Sequence, residues 1–218
     1  MVLQIGILLT LLEAGRRRDV AATANALVAL TVALLPWALE RVTALVVGPV
    51  LPLWLAVAGL LHAVGMLGPY DDVWWWDHVT HFVSASLAAA LVHAVLVASY
   101  ADTAPFGAVA AATVLFTGAA SVLWELVELI ARELGERFDV DPVLVHYGWD
   151  DTALDLGFDL VGAVVVVALD LRVFVPVVEA VGPARPLVRW SAVAVVGVGA
   201  SLVLALALVL VITVSRIG

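Results

Sequence analysis

Residues 79–99 read VTHFVSASLAAALVHAVLVAS, an apolar run whose only ionisable side chains are His81 and His93. A helix rising 1.5 Å per residue needs about 20 residues to cross a hydrocarbon layer about 30 Å thick. Within lipid every backbone N–H and C=O must be satisfied internally, which leaves helices and closed barrels. The run lacks the strict alternation of a barrel strand. It therefore predicts a transmembrane helix. Comparable runs are Val20–Leu39, Thr43–Leu67, Phe106–Ala131, Thr152–Leu171 and Trp190–Val214, with Val2–Ala14 a short further candidate. The expected fold is all-α, a single transmembrane helical domain over residues 1–218 with six or seven spans. The segment Val173–Val181 is too short to cross and is expected to lie along the interface.

Composition points the same way. Of 218 residues, 64% are apolar and 13% charged, with a mean hydropathy of +1.14. A soluble domain of this length has too little interior to hide so much apolar surface. The first fourteen residues resemble a signal-peptide core, but arginines follow them and no small-residue cleavage site is present, so a retained first helix is expected. The net charge is −9, and all ten cations are arginines. Such a balance argues against nucleic acid as a partner and leaves membrane lipids, in a multi-pass protein of the cell membrane. It also resembles salt-adapted, halophile-like composition. With no cysteine, disulfides, thiolate metal sites and cysteine nucleophiles are excluded.

If each span crosses once, the turns after the first, third and fifth spans share one face. Arg16, Arg17, Arg18, Arg132, Arg137 and Arg216 lie near it, against Arg41, Arg172, Arg185 and Arg189 opposite, which makes the first face cytoplasmic. The same alternation gathers the ionisable residues. His62 closes the third span; Asp77, His78 and His81 open the fourth; Glu125 and Glu128 approach the end of the fifth; Asp151, Asp155 and Asp159 open the sixth. All fall at that one face.

Ionisable groups at membrane depth cost roughly 2.5–3.5 kcal/mol each on insertion scales, so they face a bundle interior and have partners. Asp77 and His81 share a helix face, as do Glu125 and Glu128, and Asp151, Asp155 and Asp159 form a strip. So many carboxylates bind a metal, hold protons, or point to water at helix ends. Oxygen and imidazole donors suit a divalent ion, Zn, Mg, Mn or Fe, without choosing among them. The expected metal ligands are Asp77, His81, Asp151 and Asp155, with Glu125 and Glu128 as catalytic groups. His62, His78, Asp159 and Tyr70 surround them. Each has a plainer reading. Asp77 and Asp151 are also good helix N-caps. Glu125 and Glu128 also suit a solvated helix end, with Trp124 in the interfacial belt. His62 and His93 read as hydrogen-bonded interhelical histidines, and Trp74, Trp75 and Trp76 as interface anchors. Arg132 is the nearest helical cation, one turn after Glu128.

Three motifs in order resemble the YjdF-like family of multi-span membrane proteins, a domain of unknown function. Asp77, His81 and Phe82 match its Asp-x-x-x-His-Phe, preceded by Leu61-His62-Ala63, Gly68 and Tyr70. Trp124, Glu125 and Glu128 match its aromatic-Glu-x-x-Glu. Asp151, Thr152, Asp155, Gly162 and Ala163 match its Asp-Thr-x-x-Asp with a Gly-Ala pair. The resemblance covers roughly residues 61–163 and implies this fold and site, but no reaction. Where family members carry Gln-Gly-Asp, this chain reads His146-Tyr147-Gly148-Trp149-Asp150, so a ligand supplied there is lost or replaced by Asp150.

Three functions fit. One is a metal-dependent membrane hydrolase acting on a lipid or other amphiphile. Another is a cation or proton transporter, against which stands the absence of a second acidic cluster at the opposite face. The third is a structural or accessory subunit with a buried polar network. Five histidines are too few for a membrane desaturase. The absence of lysine excludes lipid phosphatases of the acid-phosphatase type, and CDP-alcohol transferases need a Gly-Ala-Arg inside their aspartate motif.

Overall fold

A computed structural model describes residues 1–43, 45–138, 144, 147–182, 185–186, 188, 191, 193–195 and 197–201. In chain order the helices are α1 (Val2–Arg17), α2 (Val20–Val42), α3 (Val50–Gly65), α4 (Pro69–Asp72), α5 (Trp76–Tyr100), α6 (Phe106–Phe138), α7 (Trp149–Ala168) and α8 (Val175–Val181). No strand occurs among the described residues. Helices α2, α5 and α6 are long and apolar enough to cross a membrane, and α3 is a shorter apolar helix. The expected span Trp190–Val214 lies largely outside the described residues.

Most boundaries shift by three residues or fewer from the hydropathy spans, and two shift by seven. The expected span Thr43–Leu67 is helical only from Val50. Pro49 disfavours helical geometry at the residue before it, and Gly48 takes a φ of +70°. The Val47 N–H instead donates to Glu40 Oε1 at 2.8 Å, so the last turns of α2 hold the approach to α3. At the other extreme α6 runs seven residues past Ala131, to Phe138. Those residues are polar helix formers, and Arg132 Nε donates to Glu136 Oε1 at 2.9 Å across one turn. Arg132 therefore pairs outward and not with the acidic cluster. The short helix α4 occupies what reads in sequence as a turn.

Packing falls into two groups. Ile7, Ala26, Ala29, Ala33, Ala56 and Ala63 join α1, α2 and α3. Leu87, Ala89, Ala90, Ala94, Ala163, Val166, Phe174 and Val178 join α5, α7 and α8. Small residues let helix backbones approach without a hydrophobic drive from water. A Cβ on Gly162 would lie 2.6 Å from Ser86 Oγ and 2.9 Å from the Phe82 carbonyl oxygen. Glycine is what permits α5 and α7 to meet there. These two helices run parallel, with α6 returning between them in sequence.

Candidate polar site

The parallel pair α5 and α7 positions most of the site. His78 Nδ1 lies 2.7 Å from Asp155 Oδ1, with both side chains buried. One turn further, His81 Nδ1 stands 3.3 Å from both oxygens of Asp159. At the far end His93 Nε2 meets Asp170 Oδ1 at 2.9 Å. The partners are 77, 78 and 77 residues apart. A near-constant offset is what two parallel helices in register produce, and it makes the three histidines of α5 rungs to α7 and the turn after it.

Other helices close the site. On α3, His62 Nδ1 lies 2.7 Å from the Tyr70 hydroxyl and Nε2 lies 3.2 Å from Ser84 Oγ. Burial pushes the Tyr70 hydroxyl up from its ordinary value, so it stays an O–H donor. Both ring nitrogens of His62 are thus engaged, one with Tyr70 and one with Ser84. Tyr70 fits because Gly65 has no side chain; a Cβ there would lie 2.5 Å from the ring. Trp76 Nε1 donates to the Leu61 carbonyl at 3.1 Å and ties α5 to α3. It is thus a tether between helices, whereas Trp74 and Trp75 are exposed as interface anchors would be. From α6, Glu125 is buried and Glu128 accepts from Trp124 Nε1 at 2.8 Å. Neither stands at a helix end, since α6 continues for ten residues past Glu128.

Three sets of donor atoms each lie within 4.8 Å of one another: Asp77, His81 and Asp155; His78, Asp151 and Asp155; His81, Glu125 and Glu128. Ligands at 2.0–2.6 Å from one ion can be no further apart than about 5 Å. Asp155 and His81 each belong to two sets. All eight of the carboxylates and histidines that the sequence selects from α5, α6 and α7 thus lie in these sets or bond to them, with His62 and Tyr70 beside them. Asp77 and Asp151 are not N-caps: Trp75 and Gly148 hold those positions, and no side-chain cap bond forms. Each instead occupies the first turn, where the helix dipole favours a negative charge. Asp150 is exposed, and His146 lies outside the described residues.

Two features lie outside the motifs that mark the cluster. A cavity of about 200 Å³ adjoins His81 and Asp159 and is lined by His62, Ser84, Thr117 and Ser121. A second polar group stands at the opposite end of α5 and α7. There His93 Nδ1 approaches Thr113 Oγ1 at 3.2 Å, and Arg172 Nε donates to Asp170 Oδ2 at 2.9 Å. His93 is the expected hydrogen-bonded interhelical histidine, but the expectation of polarity at one end alone is corrected. The repeated 77-residue offset was the signal, because it pairs Asp170 with His93.

Fold and site define an α-helical membrane protein with a buried histidine–carboxylate cluster. The chain belongs to the family described as "Predicted membrane protein (DUF2238)", whose match covers residues 1–175, and which is the YjdF-like family. An "Uncharacterized protein" of Thermotoga maritima is 32% identical over 137 residues, or 58% of this chain and 65% of that protein. The chain thus covers a little under two thirds of this relative's length. No solved structure matches.

Proposed function

We propose that this chain is a multi-pass protein of the cell membrane, with six or seven spans, that binds a divalent metal ion at the polar site and hydrolyses an amphiphilic substrate. The overlap of three donor sets on His81 and Asp155 carries this reading. Oxygen and imidazole donors from α5 and α7 match the ligand preferences of Zn, Mn, Mg and Fe ions, and no thiolate competes. A metal bound there lowers the pKa of water and polarises the bond under attack.

The protein's own groups supply the remainder. Asp77, His81 and Asp155 hold the ion, with Asp151 and His78 beside them. Glu125 is buried within reach of His81 and takes the proton of the attacking water. The leaving group receives that proton as the scissile bond breaks. Glu128, half-buried and oriented by Trp124, faces the substrate. Phe106 and Glu125 are about 28 Å apart along α6, close to one hydrocarbon thickness, so the site lies at the level where an amphiphile has its head in water and its tail in lipid.

Metal analysis of the purified chain tests the reading. Stoichiometric metal is expected in the wild type, with loss of most of it in Asp155→Asn and His81→Ala. Hydrolysis of long-chain fluorogenic esters should fall at least a hundredfold in Glu125→Gln while metal is retained. A wild type that takes up none of the four metals overturns the proposal.

Movement of protons or cations is the second reading, and the His93–Asp170 pair at the far end favours it. Proteoliposomes with a trapped pH dye distinguish the two: a flux abolished by His93→Ala supports transport, and no flux above empty vesicles removes it.

A further inference from the structure

A cavity of about 230 Å³ beside the site has two chemically different ends. Its apolar walls are Val28, Ala29 and Val32 on α2 and Leu55, Ala58 and Gly59 on α3. Its polar end is formed by Tyr70, Trp124 and Tyr147 together with Asp77, Glu128 and His62. Ala29, Ala58 and Gly59 keep part of that wall low. A Cβ on Gly59 would lie 3.2 Å from that of Ala29, so α2 and α3 touch closely and leave a narrow furrow beside the contact. Val28 is 64% exposed at its edge, so the furrow is open to the surrounding lipid. From Leu55 to His62 it runs about 10 Å along α3 and stops at the polar site. A furrow of that form takes one extended hydrocarbon chain.

The polar end specifies the head. Two carboxylates and three aromatic rings line it, and among the described residues no arginine does; the chain contains no lysine. With Asp77 committed to the ion, the head meets Glu128, and a phosphate, sulfate or carboxylate laid against that carboxylate would find no cationic side chain beside it among the described residues. An ammonium is attracted by both that carboxylate and the faces of tyrosine and tryptophan, the arrangement by which aromatic cages recognise amines and quaternary ammonium groups. Trp124 also fixes Glu128 through its indole N–H, at 2.8 Å. Tyr147 in turn donates its hydroxyl to Asp71 Oδ1 at 2.9 Å, which holds its ring at the rim.

We infer that this cavity binds a single-chain amphiphile with an ammonium head, its tail between α2 and α3 and its head among Tyr70, Trp124, Tyr147 and Glu128. The inference deepens the hydrolase reading by naming a substrate class, and rests on it for bond cleavage but not for binding. Titration of the purified full-length chain in a neutral maltoside detergent tests it, with dodecyltrimethylammonium, dodecanoate and tetramethylammonium as probes. Dodecyltrimethylammonium should bind at least tenfold more tightly than either of the others. Val32→Trp, which fills the furrow, and Glu128→Gln, which removes the charge, should each weaken it at least tenfold. Val32→Trp should keep its helix content and bound metal; Val28→Trp, at the exposed edge, serves as the second furrow variant if it does not. Equal binding of dodecanoate, or indifference to both furrow variants, overturns the inference even if metal is present. Selective binding by a chain that takes up no metal would sustain it while the hydrolase reading falls.

Discussion

Asp155 has three demands on one carboxylate: it bonds His78 at 2.7 Å, belongs to two donor sets, and is 1% exposed. Removing it strands the imidazole in a place without water. Asp155→Ala should therefore cost about 1–3 kcal/mol, the usual penalty for a buried polar group left unpaired. The double variant His78→Ala/Asp155→Ala should lose less than the sum of the singles, by thermal unfolding in detergent, because the partners share one interaction. Asp170 offers a test in pH. Arg172, and then His93, hold its carboxyl below the ordinary carboxylate range. A depressed folded pKa gives stability that is present above the unfolded value of about 3.9 and lost as pH falls through the lower folded value. Asp170→Asn should melt below wild type at pH 7, and the two should converge below about pH 4. Asparagine keeps the backbone comparison fair, since position 170 has a φ of +46° and Asn tolerates that region. At this scale the burial of Asp155 and His81 was legible, because an ionisable group one turn inside an apolar helix has few solvated alternatives. Whether Asp77 and Asp151 cap their helices was not, since capping depends on where the first turn starts, which composition does not determine.

Among the elements, α5 and α7 are the pair on which the site depends, and Gly162 is a point where they approach closely. A side chain there meets Ser86 and the Phe82 carbonyl, so relief requires the helices to separate. Gly162→Val should destabilise by about 1–3 kcal/mol, as overpacking generally does. It should also weaken metal binding, because His78, Asp155, His81 and Asp159 are held by the same contact. Gly157→Val is the control: no atom lies within 4 Å of a Cβ built there, so its effect should stay small. If both variants melt alike, close approach at Gly162 is not what aligns the rungs. Hydropathy located α2, α5 and α6 well, since lipid imposes one length and one backbone solution on a span. It missed the start of α3 and the end of α6 because both are decided outside hydrocarbon, by Gly48–Pro49 and by charged residues pairing along a helix.

Across the whole molecule, the parallel register of α5 and α7 implies that the cluster and the His93–Asp170 pair lie toward opposite faces of the membrane. His81 and His93 are about 18 Å apart along α5, and the connections at its two ends, Asp72 before and Asp102 after, are exposed. The arginines nearest the cluster outnumber those at the far end, so the cluster should face the cytoplasm. The chain contains no cysteine, and single cysteines can therefore be read without background. Asp102→Cys should react with a membrane-impermeant maleimide on intact cells, and Asp72→Cys only after the membrane is opened. The same result would mean that the furrow between α2 and α3 delivers its ligand to the inner surface. Labelling of both positions from one side would show that α5 does not cross, and a site that depends on α5 crossing in register with α7 could not then join head and tail chemistry at an interface.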